Sequence, residues 1–295
     1  MEAAELVVLQ NVLTTRYVSA AGLVLLLYDH LLTLDAEVEY IWTSASSVAK
    51  ILFLILRYMV PSFLLAQTIL RTGLPVIDMS DVAYAGWLSI VISNFLVMLR
   101  IWATLPHARR LRLWFIIFFT VAQLASFAAT TWVISLMIPV LVFDPLVGLC
   151  TFSSKPDVVG LWVVGLAFEV VVFTTVCWNA LDRPRVLGSD PDAAVTRMFV
   201  RDGAVYFTIL FALRIANTVI AVVAPVSNLF VVVFFIWAAT TVTTSRLIIN
   251  SRRTAGKAAQ LRALQAAVSA EEYRGSQSGS TRSDTICRRG RSCSV

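Results

Sequence analysis

The chain has 295 residues, of which 58% are apolar and only 14% are charged. A soluble chain carries roughly a quarter charged residues, so the composition excludes an ordinary soluble domain and indicates an integral membrane protein whose main partner is the lipid bilayer. The net charge of +6 does not indicate nucleic acid binding, because residues 1–250 hold 15 basic and 15 acidic residues and the whole excess lies in the tail from Ser251.

Seven apolar stretches follow one another along the chain. About 20 residues rising 1.5 Å each cross the hydrocarbon as an α-helix, which satisfies its own backbone polar groups. We therefore predict an all-α, polytopic membrane protein with seven transmembrane helices. The predicted spans are Tyr17–Leu34, Val48–Leu70, Val82–Leu105, Leu113–Met137, Val158–Leu181, Arg201–Ala224 and Asn228–Ile249.

The positions of Lys and Arg predict the orientation, because short cytoplasmic loops retain basic residues. Three arginines follow the third predicted helix and three follow the fifth, whereas the alternate connections are poor in basic residues; the six are Arg109, Arg110, Arg112, Arg183, Arg185 and Arg197. The N-terminus is therefore predicted outside and the C-terminus in the cytoplasm. We expect the plasma membrane rather than an internal membrane.

The predicted domains are a short extracellular N-terminus over residues 1–16, a membrane domain over 17–250 and a basic cytoplasmic tail over 251–295. Within the tail, Gly256–Tyr273 has apolar residues at helical spacing and predicts a short surface helix. After about residue 274 the Ser-, Gly- and Arg-rich sequence predicts disorder. The charge of the tail suggests contact with anionic lipid.

The longest outer connection, Ile138–Asp157, is unusually apolar. Three interpretations fit this pattern: a lid that folds back over the outer end of the bundle, an interfacial segment, or an extension of the fourth helix. The sequence does not choose among them.

Several kinds of chemistry lack the residues that they need. The seventh predicted helix has no Lys for a retinal Schiff base, and the only histidines, His30 and His107, are too few for a three-His zinc site. No Gly-rich phosphate loop is present. The sequence therefore predicts no enzyme activity, no cofactor and no metal site.

Four charged residues lie deep inside the predicted spans, where each costs roughly 2.5–3.5 kcal/mol and normally faces the bundle interior. Counted from the outer ends of their helices, Asp29 and Arg57 lie about 18 Å and 20 Å deep, and Glu169 and Arg214 about 17 Å and 15 Å. Matching depths on consecutive helices predict the ion pairs Glu169–Arg214 and, less directly, Asp29–Arg57.

Two further polar residues accompany these charges: His30 is next to Asp29, and Asn217 shares a helix face with Arg214. These six residues can be interhelical clamps, or they can build a ligand, ion or proton site. At the cytoplasmic ends of the helices, Arg100, Arg201, Asp202 and Arg246 are candidates for coupling to an inner partner. Snorkelling and helix capping are the alternative roles for that second group.

Short motifs carry a family resemblance. Near the N-terminus these are Arg16-Tyr17, Tyr28-Asp29, Leu32-Thr33-Leu34-Asp35, Glu37 and Ile41-Trp42; later ones are Arg57-Tyr58, Leu99 to Ala103, Arg201-Asp202-Gly203 with Tyr206-Phe207, and Ser245-Arg246-Leu247 with Asn250. In combination they resemble a fungal domain-of-unknown-function family of seven-helix membrane proteins. The resemblance, over roughly Arg16 to Arg253, implies a fold similar to that of seven-helix receptors and no assigned biochemical role.

The leading hypothesis is a receptor-like protein that senses a ligand at its outer half and couples to a cytoplasmic signalling partner. The alternative is a transporter or proton-linked carrier that uses Asp29, Arg57, Glu169 and Arg214. A third possibility is a scaffold in which these residues only assemble the bundle. A receptor should have an outer cavity above a closed inner half, whereas a carrier should show a polar path toward both faces.

Overall fold

Helices account for most of the protein. The computed structural model describes residues 2–70, 79–104, 109–144, 149–152, 159–186, 191–223 and 232–289. Seven long helices and one short one lie in these ranges: α1 (Glu2–Leu32), α2 (Leu34–Glu37), α3 (Val48–Leu70), α4 (Met79–Thr104), α5 (Arg109–Met137), α6 (Val159–Val186), α7 (Pro191–Val223) and α8 (Val233–Arg289). Two compact units are formed, one by Met1–Ile249 and the other by Asn250–Val295.

The described helices fit a multi-pass membrane protein. Five of them are long and apolar enough to cross a bilayer, within α3, α4, α5, α7 and α8. A sixth span arises if α1 and the bent segment after it, Leu13–Leu32 and Leu34–Trp42, cross together. In α6 the apolar stretch is shorter, Trp162–Thr175.

The first predicted helix differs from the prediction at both ends. It begins at Glu2, so that residues predicted as an extracellular segment are helical. After Leu32 the axis bends by 56°, and the Thr33 hydroxyl donates a 2.7 Å hydrogen bond to the Asp29 carbonyl at this point. A π-helical turn, Val38–Trp42, then leads toward α3. The region predicted as a loop therefore has an ordered backbone that carries Glu37 back toward the bundle.

The core is built where α1, α3, α4 and α8 meet. Its cluster of buried apolar residues comprises Leu23, Leu26, Leu56, Val60, Leu64, Val82, Ile92, Leu96, Phe234 and Ala238. A second apolar cluster joins α4, α6, α7 and α8 through Val97, Phe168, Val172, Phe207 and Leu247. One interhelical hydrogen bond, 2.7 Å from the Trp237 indole to the Ser89 hydroxyl, ties α8 to α4.

Gly22 lies at a close approach between α1 and α8. A Cβ atom at this position would lie 3.0 Å from the Phe235 Cα and 3.4 Å from the Ala238 Cβ. Small residues allow such approach between membrane helices, whose association depends on van der Waals packing. The glycine therefore lets the two backbones contact each other directly.

The Gly22→Ala substitution is expected to lower thermal stability in detergent, because the new methyl group meets backbone atoms that cannot rotate away. Overpacking of this kind costs about 1–3 kcal/mol. The matched control is Gly86→Ala, where nothing lies within 4 Å of the added Cβ and the better helix propensity of Ala should leave stability unchanged or raised. Equal melting temperatures for the two variants would contradict the close contact.

The connection after α5 contains a small β-hairpin. A 3-10 turn, Ile138–Val140, leads into strands β1 (Leu141–Asp144) and β2 (Leu149–Phe152), which pair antiparallel with Leu141 opposite Phe152. The segments Leu141–Asp144 and Leu149–Phe152 therefore do not simply extend α5. Residues 145–148 and 153–158 lie outside the described ranges, and the lid remains a prediction.

In the second unit, α8 continues as a helix through Arg289. Its apolar residues Leu261, Leu264 and Val268 are exposed, as expected for a surface helix. Beyond about residue 274 the helical geometry differs from the predicted disorder. A physical reason is that a helix already nucleated by an apolar segment propagates into neighbouring residues without a second nucleation cost.

Candidate functional site

Glu37 lies at the centre of a buried polar cluster at the junction of α1, α2 and α3. Its side chain is fully buried and forms an ion pair with Arg57, which is 2% exposed, through Oε2 and the guanidinium Nε. The other oxygen, Oε1, accepts hydrogen bonds of 3.1 Å from the Tyr58 hydroxyl and 3.1 Å from the Trp42 indole. A buried carboxylate needs such compensation, and here three side chains supply it.

Arg57 also anchors the end of α1. Its Nη2 donates to the Thr33 hydroxyl at 2.7 Å and to the His30 carbonyl at 3.2 Å. Its guanidinium lies 5.7 Å from the centre of the Phe53 ring. A cation at a helix C-terminus satisfies free carbonyls and interacts favourably with the helix dipole. Arg57 therefore holds the bend after α1 as well as neutralising Glu37.

Asp29 connects α1 to the last helix. Arg246 Nε donates to Asp29 Oδ1 at 2.5 Å. The two side chains differ in exposure, 3% for Asp29 and 45% for Arg246. The pair thus joins a buried anion to a cation that still reaches the surroundings of the bundle.

The predicted Asp29–Arg57 pair is wrong. Arg57 pairs with Glu37, and Asp29 pairs with Arg246. Depth counted along straight helices ignores the bend after α1, which brings Glu37 from a predicted loop to Arg57. Arg246 was predicted to lie at the inner end of the last helix, and the structure pairs it with Asp29 instead.

The predicted Glu169–Arg214 pair is confirmed. Arg214 Nε lies 2.7 Å from Glu169 Oε1, with the side chains 13% and 14% exposed. One turn further along, Phe173 and Phe211 stack with ring centres 4.5 Å apart. Glu169 Oε2 has no hydrogen-bond partner among the described residues. Asn217 is buried on the same helix as Arg214.

The remaining sequence candidates fall into two groups. His30 belongs to the polar cluster, since its ring meets that of Tyr58 edge-on at 5.1 Å. Arg100 lies on α4, and Arg201 and Asp202 lie on α7, but their side chains are outside the described part of the structure. Within that part, no group of three or more His, Cys, Asp or Glu residues could hold a metal ion.

A cavity of about 210 Å³ lies between α1, α3 and α8, at the opposite ends of these helices from the ion pairs. Its walls come from Arg16, Tyr17, Ser19, Ala20, Leu64, Gln67, Thr68 and Phe234. The Ser19 hydroxyl oxygen is buried and has no hydrogen-bond partner among the described residues. Along α1, Ser19 and Asp29 are ten residues apart, or about 15 Å.

Sequence reasoning missed the cavity and four members of the cluster, namely Thr33, Glu37, Trp42 and Tyr58. All four lie in the motifs that carry the family resemblance, and that position was the available signal. Glu37 was overlooked because it follows the first apolar stretch and looked like a loop residue. The cavity has no linear signature, since its walls come from helices far apart in the sequence.

Part of the chain is similar to a described protein family. Residues 17–62 match the family described as "Family of unknown function (DUF6533)", which confirms the resemblance to a domain-of-unknown-function family for this segment. The chain matches no curated protein and no solved structure. Asp29, Glu37 and Arg57 all lie within the matched segment, and Arg246 lies outside it.

Proposed function

We propose that this is a receptor-like membrane protein of seven transmembrane helices that binds a ligand in the cavity and couples to a cytoplasmic signalling partner. The observation that supports it is the arrangement of α1, α3 and α8. At one end these three helices line a cavity; at the other end two ion pairs join the same helices and α2. An outer cavity above a closed inner half is the arrangement expected of a receptor.

In this proposal α6 supplies the remaining span, since its 28 residues rise about 42 Å. The basic connections after α4 and α6 support an orientation with the N-terminus outside and the C-terminus in the cytoplasm. The cavity then opens toward the outer face, and the ion pairs lie in the inner half. Anionic lipid beside the basic tail and residence in the plasma membrane belong to the same proposal.

Coupling between the two ends follows from helix rigidity. A ligand that fits one arrangement of α1, α3 and α8 better than another shifts the population toward it. Because Gly22 places α1 in backbone contact with α8, displacement at the cavity moves these helices as bodies. The Asp29–Arg246 pair lies further along the same two helices and would lengthen or break. Arg246, which is 45% exposed, is the group that an inner partner would meet.

The core between the two ends disfavours a carrier. Leu26, Leu56, Val60 and Ala238 are buried apolar residues on α1, α3 and α8. They separate the cavity from the ion pairs. Buried apolar side chains between the two ends of these helices support a receptor over a carrier, since a carrier needs a continuous polar path toward both faces.

Cysteine accessibility tests the arrangement and the orientation together. In a chain whose Cys150, Cys177, Cys287 and Cys293 are replaced by Ser, Ser19→Cys is expected to react with a membrane-impermeant thiol reagent in intact cells. The matched control is Val60→Cys, a fully buried position in the apolar layer, which should stay unreactive from either face. Reaction of the Val60→Cys variant from both faces would favour a carrier. Reaction of the Ser19→Cys variant only after permeabilisation would show that the orientation is opposite to the proposed one.

A further inference from the structure

The geometry points to a small amphipathic monoanion, such as a short-chain carboxylate, as the ligand of the cavity. This inference rests on the proposed receptor-like function and names the chemical class of its ligand. It is carried by the charge, hydrogen-bonding capacity and size of the cavity.

Arg16 sets the charge of the site. Among the described residues it is the one lining residue with a formal charge, and it makes no ion pair with any of them. A guanidinium binds carboxylate oxygens through paired hydrogen bonds. A ligand carboxylate would therefore meet a cation that no described side chain compensates.

Ser19 supplies the second contact. It follows Arg16 by three residues on α1, and residues at this spacing share a helix face. Its hydroxyl oxygen is buried without a partner among the described residues, which is costly unless a ligand completes the hydrogen bond. An acceptor held by Arg16 lies on the same face as this donor. By contrast, the Thr68 hydroxyl already donates to the Leu64 carbonyl at 2.8 Å.

The rest of the cavity favours a hydrocarbon of limited length. Leu64 and Phe234 are buried apolar walls, on α3 and α8 respectively. The volume of about 210 Å³ corresponds to roughly seven water-sized volumes of ~30 Å³. That space holds a carboxylate with a short chain or one ring. A free small acid fits the cavity better than a bilayer lipid.

Isothermal titration of the full chain in nanodiscs of zwitterionic lipid tests the ligand class, with hexanoate and benzoate as probes. We expect saturable binding of at least one probe, weakened at least about tenfold by Arg16→Gln because a charge-assisted hydrogen bond is lost. Ser19→Ala should weaken it less. Arg110→Gln, at an exposed arginine of α5, is the matched control and should bind as the parent does. Hexylamine, with the same chain and the opposite charge, should not bind.

Three results would overturn the inference: no saturable binding of either acid, equal binding to the Arg16→Gln variant, or equal binding of hexylamine. Loss of hexanoate binding in nanodiscs that contain anionic phospholipid would assign the site to a lipid headgroup. It would overturn the inference that a free small acid is the ligand. A bimane fluorophore attached to the Leu34→Cys variant, near the bend after α1, reports movement of that region. It tests the proposed coupling separately from ligand binding. Binding without a change in emission would leave the ligand class supported and contradict the proposed coupling.

Discussion

Replacing Arg57 with Met is expected to destabilise the protein by about 3–5 kcal/mol, because Glu37 would stay buried without its cation. The fold cannot simply hydrate this carboxylate, since the Glu37 side chain is fully buried between Arg57, Tyr58 and Trp42. The same change also removes two hydrogen bonds that hold the end of α1. Thermal unfolding of the purified protein in detergent measures the loss.

Two further variants test whether this loss of stability comes from the Glu37–Arg57 ion pair. The double change Arg57→Met with Glu37→Gln should be less destabilising than the sum of the two single changes, because neither partner is left as an unpaired charge. Arg110→Met, at an exposed position, controls for loss of an arginine and should melt with the parent. A near-parental melting temperature for Arg57→Met would show that the pair does not stabilise the bundle.

The second large effect is expected at the Glu169–Arg214 pair. Glu169→Gln and Arg214→Met should each destabilise by about 3 kcal/mol, near the lower end for buried pairs because both side chains are slightly exposed. The double variant should fall short of the sum by about 0.5–3 kcal/mol. Thermal unfolding of the parent, the two single variants and the double variant completes the cycle.

A matched cycle on the same two helices uses Thr174→Ala and Thr208→Ala. These exposed hydroxyls bond only to carbonyls of their own helices, so their effects should add. If the Glu169 and Arg214 changes also add, the clamp interpretation is wrong. If both leave stability intact but abolish a ligand response or an ion flux, the pair serves a functional site instead.

The helices of this protein were predictable because its spans are long, apolar and bounded by polar residues. The predicted second span, Val48–Leu70, coincides with α3. Pairing between α6 and α7 was predictable as well, since a charge costs so much in hydrocarbon that two charges at matching depths on consecutive helices are expected to meet. Burial cost thus identified the Glu169–Arg214 pair, whose two members lie inside consecutive regular helices.

Matching charges by their depth failed around α1, because a depth counted along a straight helix contains no information about a bend. Asp29 and Arg57 lie at similar predicted depths, yet the 56° change of direction after Leu32 presents Glu37 to Arg57 instead. Backbone geometry at Thr33 and in the π-helical turn decides this pairing, and neither has a strong sequence signal. Arg246, interpreted from its position as a snorkelling or coupling residue, is also the partner of Asp29.

The cavity was beyond prediction for a different reason. Arg16 and Ser19 share a face of one helix, which the sequence does show, but Gln67 and Phe234 reach the same space only through packing of α1, α3 and α8. The hairpin between α5 and α6 is similar, since an apolar connection is compatible with a strand, a helix end or an interfacial segment. Tertiary contacts decide which of these three structures the connection forms.

The Glu37–Arg57 and Asp29–Arg246 ion pairs are completed at very different moments of synthesis. Glu37 and Arg57 stand 20 positions apart, so this pair can form as soon as the hairpin of α1 and α3 has emerged. Arg246 follows Asp29 by 217 positions, which corresponds to roughly 10–40 s of translation at about 5–20 residues per second. A nascent chain therefore carries an unneutralised carboxylate in its first helix until its last span has been made. That charge physically distinguishes an unfinished chain from a finished one throughout biogenesis.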